Sequence, residues 1–210
     1  MTGMFNVRTF LDYLELYAKS NLCLYITLHG TPRMYIGDTP SEVWKEADIG
    51  KIEAWLKSYG CFNIGLAINR ACDTLAVHFI DWLDIEDWMS TLSPDLLETI
   101  KTKAVFVKGK LTELYLLLRP DAPITIPSKR RKGMYNTTLL KHGDGVLLPP
   151  SFAIEDYTKD FDIIVKYTFW VLDKNNAFKN GDEEILKRPR LLEEIPVEDV
   201  KTILGTLWLR

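Results

Sequence analysis

Two apolar runs dominate the pattern of the chain: Asn63-Ile64-Gly65-Leu66-Ala67-Ile68, and Thr74-Leu75-Ala76-Val77-His78-Phe79-Ile80-Asp81. Each has the length of a buried strand, is rich in β-branched and aromatic side chains, and is separated from the other by the polar connection Asn69 to Asp73. They predict two neighbouring core strands. The second ends in a carboxylate beside Trp82, Leu83 and Asp84, just before a helical pattern begins at Ile85. A rigid strand whose acidic end meets solvent ahead of a helix is where α/β proteins tend to place chemistry.

The flanking pattern supplies the other elements. Val7, Phe10, Leu11, Leu14 and Tyr17 recur at helical spacing and predict an opening helix with one buried stripe, followed by a strand from Leu22 to Leu28 that stops at His29-Gly30-Thr31-Pro32. Thr39-Pro40-Ser41 offers a cap for a second helix, broken near Gly50 and ended by Gly60. Ile85, Trp88, Met89 and Leu92 make a third helical face, and Ser93-Pro94-Asp95 starts a further helix carrying Leu96, Leu97 and Ile100. A short strand from Ala104 to Val107 and the run Glu113 to Leu118 read as a hairpin. Arg119 to Lys132 holds three prolines and closes in Lys129-Arg130-Arg131-Lys132, which predicts an exposed loop. Val146-Leu147-Leu148 before Pro149-Pro150-Ser151 and the run Ile163 to Leu172 read as strands, Asp173 to Asp182 as a polar turn, and Ile195-Pro196-Val197 as the start of a last helix. The sum is about five helices and seven strands in a mixed α/β or α+β domain spanning 1–210.

Composition narrows the function classes. The 210 residues are 47% hydrophobic and 26% charged, which excludes disorder as the default and allows a sizeable core without staples. A net charge of −3 excludes a whole-surface basic footprint for nucleic acid, leaving only a local patch. Cys23, Cys61 and Cys72 form no C-x-x-C pair and read as reduced core thiols of an intracellular protein. The amphipathic opening helix, interrupted by Asp12 and Glu15, is no signal peptide, and no apolar run reaches bilayer length. These readings predict a soluble, cytoplasmic protein with no membrane partner.

The order of these pieces resembles the primase-polymerase domain of the archaeo-eukaryotic primase superfamily. The carriers are the opening helix and strand that end near Gly30-Thr31-Pro32; the helix from Lys51 to Lys57 that runs into Asn63-Ile64-Gly65-Leu66-Ala67, similar to that family's N-I-G-I-A; the strand Leu75 to Asp81, where it bears its first carboxylates; and the hairpin through Leu114-Tyr115-Leu116, where it bears its second motif. Val146-Leu147-Leu148-Pro149-Pro150-Ser151, similar to V-V-A-P-P-S, and the closing Ile195-Pro196-Val197 helix complete the set. The resemblance implies a central mixed sheet flanked by helices, and a DNA-replication protein of an archaeal host, plasmid or virus. It also implies chemistry by two divalent ions, Mg²⁺ or Mn²⁺, about 4 Å apart on paired carboxylates.

Carried over residue by residue, the pattern breaks. The second carboxylate falls on Asp81 and the first on Phe79, which cannot bind a cation; the histidine of the second motif falls on Glu113, whose charge would repel a triphosphate; and the third-motif carboxylate falls near Thr138, with His142 and Asp144 nearby in a glycine-flanked turn. Only Asp81 keeps a carboxylate. Asp81 and Asp84 therefore have two readings, a strand-end acid with a helix N-terminal acid, or a residual metal site. With Glu113 they are the candidate catalytic trio, provided the two motif strands are neighbours and a bulge or strand end lets Asp84 turn back.

His78 points away from Phe79's face and reads as a satisfied core histidine. The tryptophans read as packing, Trp82 being the one worth testing as a base-stacking platform. Lys129, Arg130, Arg131 and Lys132 read either as a solvated loop or as a clamp on DNA phosphates, with Lys108, Lys110 and Lys141 near it. The leading expectation is an accessory component of DNA replication that binds nucleic acid or a partner subunit and has lost most of its catalytic constellation. The alternatives are an active DNA primase/polymerase with a rearranged two-metal site, and a nucleotide-sensing or structural module suggested by Gly143-Asp144-Gly145.

Overall fold

The structure, a computed structural model, describes residues 7–20, 22–28, 62–68, 73–109, 112–125, 131–158 and 161–208. The helix expected between Thr39 and Gly60 lies outside these residues, as do His29, Cys61, Cys72, Lys110, Lys129 and Arg130.

The chain is a mixed α+β fold in which helices flank largely antiparallel sheets, as expected. Helix α1 (Val7–Lys19) leads into β1 (Leu24–Leu28), then β2 (Phe62–Ala67), β3 (Leu75–Phe79), α2 (Trp82–Met89) and α3 (Pro94–Lys103). The hairpin β4 (Val105–Lys108) and β5 (Leu114–Pro120) follows, then β6 (Arg131–Lys132), β7 (Thr137–Leu139), β8 (Gly145–Leu148), β9 (Phe152–Thr158) and β10 (Phe161–Lys166). Last come β11 (Thr168–Leu172), β12 (Phe178–Asn180), α4 (Asp182–Leu186), β13 (Glu194–Ile195) and α5 (Val197–Trp208). The large sheet runs β12-β11-β4-β5-β3-β7-β6, with β13 extending β5 in parallel; β1-β2-β8 form a second sheet and β9-β10 a hairpin.

Two expectations about strands are corrected. β2 and β3 are not neighbours: β2 sits between β1 and β8, whereas β3 sits between β5 and β7. Both are buried on their two faces, so each needs two partners, and the polar connection between them carries the chain from one sheet to the other. The run Ile163 to Leu172 is two strands in two sheets. The break falls at Tyr167, whose N–H leaves the ladders and donates to Ser151 O at 2.9 Å.

Each helix buries the face its pattern dictates, with one adjustment. In α1 the buried side chains are Phe10, Tyr13, Leu14, Leu16 and Tyr17, while Leu11 stands 41% exposed. Tyr13 and Tyr17 lie with ring centroids 6.0 and 6.4 Å from Phe169 of β11, which fixes α1 on one face of the large sheet. Helices α2 and α5 belong to the core through Trp88, Val200, Ile203 and Leu207, and are joined by Trp88 Nε1–H donating to Thr206 Oγ1 at 2.8 Å. Ser93 caps α3 and Pro94 takes its first turn, as the pattern predicts.

Cys23 is fully buried and disulfide-bonded, which corrects the expectation of a reduced thiol and removes that ground for an intracellular setting. Among the described residues no helix is long and apolar enough to cross a membrane.

Candidate functional site

The two short patterns that carry the resemblance turn out to be each other's partners. Asn63 is fully buried; its Nδ2 donates to Phe152 O at 2.7 Å and its Oδ1 accepts from Phe152 N at 3.0 Å, so the side-chain amide imitates one rung of a ladder. Ser151 Oγ does the same for Ile64, accepting from its N–H and donating to its C=O, both at 2.9 Å. The Pro149-Pro150 peptide bond is cis, and Tyr17 of α1 donates its hydroxyl to Pro149 O. Gly65 completes the motif for a steric reason: a Cβ there would fall inside the ring of Tyr25, which also lies across Gly145. Asn-Ile-Gly and Pro-Pro-Ser thus form a backbone lock between β2 and the β8–β9 corner.

At the end of the large sheet, β3 is hydrogen-bonded to β5 on one side and β7 on the other, so the strands on which the resemblance places its three motifs are adjacent. Directly opposed residues of antiparallel strands share a face. The register puts Lys132, Thr138, His78 and Tyr115 on one rung and one face; Thr137, Phe79, Leu114 and Lys108 make the next rung and face the other way. The carboxylate positions expected at 79 and 81 are therefore out of phase with Thr138. A single residue of offset is enough to turn a strand position over.

Phe79 is fully buried, with its ring centroid 5.3 Å from that of the equally buried Trp88. The residues at this place do not fit a pair of divalent ions: a benzyl group offers no ligand, and the space beside it is filled by an indole. Each acid of the candidate trio has a partner of its own. Asp81 Oδ1 caps α2 by accepting from Leu83 N at 3.1 Å; Asp84, in the first turn of α2, accepts from Asn136 Nδ2 at 3.1 Å; Glu113 reaches His78 and Tyr115. Among the described residues no three His, Cys, Asp or Glu side chains are placed to hold a metal together.

What the sheet does assemble is an imidazole, a carboxylate and a phenol. His78 stacks on Tyr115 at 4.6 Å with 12° between the rings, and its Nε2 lies 3.4 Å from Glu113 Oε2. That nitrogen is buried and makes no hydrogen bond, so the contact becomes an ion pair only on the protonated ring. With 20% of its side chain exposed, His78 is not the satisfied core histidine expected. Tyr115 donates a long hydrogen bond, 3.5 Å, to Glu113 Oε2. Burial first, and Glu113's charge second, push the phenol's pKa well up and keep it protonated. Gly109 lets the group close, since a Cβ there would press on Tyr115 at 3.3 Å and Tyr167 at 3.1 Å. Such a group can hold a proton and a polar ligand edge. It does not supply paired oxygen ligands.

Of the basic run, Lys129 and Arg130 lie outside the described residues, while Arg131 and Lys132 form β6, an edge strand rather than loop. Lys132 is exposed on the rung of Thr138 and His78. The turn at Gly143-Asp144-Gly145 is locally built: Gly143 takes φ +90°, and Asp144 Oδ2 accepts from Lys141 N at 3.0 Å.

No family model matches the chain. No curated protein matches it either. The site rests on its own residues, and one of them, Tyr115, escaped sequence reading. Tyr115 stands two residues after Glu113 on one strand face, a spacing visible in the sequence, but its stacking partner depends on the β3–β5 register, which is not.

Proposed function

We propose that the protein is a nucleic-acid-binding accessory component of a replication apparatus, built on a primase-polymerase-like frame and dependent on a partner for nucleotide joining. The observation that carries this reading is the rung Lys132–Thr138–His78–Tyr115: the basic run enters the sheet on the strand next to the expected catalytic strands, while the ligand positions among them hold Phe79, Glu113 and Thr138. Lys129, Arg130, Arg131 and Lys132 then contact phosphates of single-stranded or primer-template DNA, a sequence-independent attraction that falls with salt. The reading places the protein in the cytoplasm, in an archaeal host or the host of an archaeal mobile element.

The test has two arms. Dinucleotide synthesis on single-stranded template with labelled triphosphate and Mn²⁺ should give no product; product that depends on Asp81 would reinstate the active-enzyme reading. Binding of single-stranded DNA across a salt series should weaken steeply. Reversing the charge of Lys129, Arg130, Arg131 and Lys132 should remove most of that dependence, and unchanged binding at low salt would exclude the clamp.

A further inference from the structure

We propose a second element of recognition, resting on the nucleic-acid reading above: a pocket for one unpaired nucleobase, walled by Trp82 and Trp170, with Lys108 placed for the adjoining phosphate. The pocket holds about 230 Å³ and is completed by Thr112 and Leu114. It lies at the same end of the sheet as Lys132, on the opposite face, where β3, β4 and β5 reach their ends at the rung of Phe79, Leu114 and Lys108.

Four features favour a base over other occupants. Trp82 is 41% exposed at the start of α2, presenting an indole face that the core does not use. Trp170 is anchored, its Nε1–H donating to Thr168 Oγ1 at 3.0 Å, and it holds the Lys108 ammonium over its ring at 4.5 Å. Among the described residues no carboxylate pairs with that ammonium, so it stays available to an anion. The volume is below the roughly 300 Å³ at which drug-sized ligand sites begin, which admits one flat ring of a longer ligand rather than a helix face. Aromatic platforms beside a cation are the ordinary means of gripping single strands, because every base has a π face. From β6 to β4 is four strand spacings, about 19 Å across the sheet, and a single strand passing round the sheet's end would cover that distance between the basic edge and the pocket on the other face.

The experiment uses the full chain and follows tryptophan fluorescence on titration with an oligothymidylate of about 12 nucleotides, and with an abasic deoxyribose-phosphate strand of equal length. Trp82→Ala should weaken oligothymidylate binding about 5- to 150-fold, the loss of one base–aromatic stack, and Trp82→Phe should recover most of it. Lys108→Ala should reduce the slope of log affinity against log salt by about 0.7, one phosphate contact on a single strand. The abasic strand should bind wild type as weakly as oligothymidylate binds Trp82→Ala. Since Trp82 is exposed, its variants should melt as wild type does, and thermal unfolding checks this. Oligothymidylate binding that Trp82→Ala leaves intact would overturn the pocket while leaving the nucleic-acid reading standing. Loss of self-association in that variant with intact oligonucleotide binding would likewise overturn it, marking the Ile80, Trp82 and Leu83 surface as a protein contact. Failure of wild type to bind either strand would overturn both.

Discussion

Ser151→Ala is the most direct probe of how this fold is held. The hydroxyl is the partner of both backbone groups of Ile64, at 2.9 Å each, in a place where Ile64 is 1% and Ser151 3% exposed. Removing it takes one buried hydrogen bond from the N–H and one from the C=O of Ile64, which stays registered with Leu148 of β8, and each bond contributes about 0.5–1.5 kcal/mol, so the variant should lose about 1–3 kcal/mol. Asn63→Ala removes the side-chain amide from the N–H and C=O of Phe152 in the same way, but Phe152 is half-buried, so water should recover part of the loss. Both side chains hold the same corner of β2, β8 and β9, and the double variant should show a coupling of about 0.5–3 kcal/mol rather than simple addition. The assay is urea unfolding followed by tryptophan fluorescence, with the slope of the transition compared between variants. A Ser151→Ala variant within about 0.5 kcal/mol of wild type, at unchanged slope, would refute the lock, because surface-like substitutions fall in that range.

Further expectations follow from the same geometry. Phe79→Asp should destabilise by more than about 3 kcal/mol in chemical unfolding, because it deletes a ring packed on Trp88 and buries a carboxylate, whereas Ile80→Asp, at 52% exposure, should stay within about 0.5 kcal/mol; equal effects would mean that the faces are misassigned. Asp81→Ala should cost about 0.5–2 kcal/mol by loss of the α2 cap, measured the same way, and Asp81→Asn should recover most of it; recovery by Asp alone would point to a charge requirement. Burial drives the pKa of Tyr17 and Tyr25 up, so above the unfolded phenol's value near 10 the unfolded chain holds fewer protons than the folded one. Stability present below that pH should then fall by about 3 kcal/mol per pH unit for the two together. Tyrosinate absorbance for these residues should appear only together with unfolding, and its appearance in folded protein near pH 10 would be decisive against this.

Local pattern carried the helices well, for an identifiable reason. Ser93-Pro94-Asp95 and Asp81 are capping chemistry, and chemistry of that kind acts within a few residues of itself. Burial on one face of α2 or α5 is likewise written in spacing. Strand partners are not local. A strand buried on both faces, such as β2 or β3, reads as an apolar run whichever sheet it joins, which is why the two appear as neighbours in sequence and belong to different sheets. The short strands β6, β7, β12 and β13 are too brief to stand out in any pattern and exist through the partners they meet.

The candidate site illustrates the same limit at the scale of one residue. Sequence identifies Asp81, Asp84 and Glu113 as acids near a strand end, and all three are there, but whether three acids make a site depends on where each side chain finds its hydrogen bond. Asp81 is committed to the backbone of α2, Asp84 meets Asn136, and Glu113 meets His78 and Tyr115. The parity of β3 then decides which residues face one another, and it sets His78, not Phe79, between Thr138 and Tyr115. Rebuilding a two-ion site here would therefore take carboxylates at 78 and 138, on the rung that Lys132 also occupies, and not at 79, where the ring of Phe79 and the indole of Trp88 fill the core. A His78→Asp, Thr138→Asp variant puts the point to measurement. Calorimetry should detect Mn²⁺ binding to it and none above background to Phe79→Asp, and the reverse result would place the ligand face on the other side of the sheet.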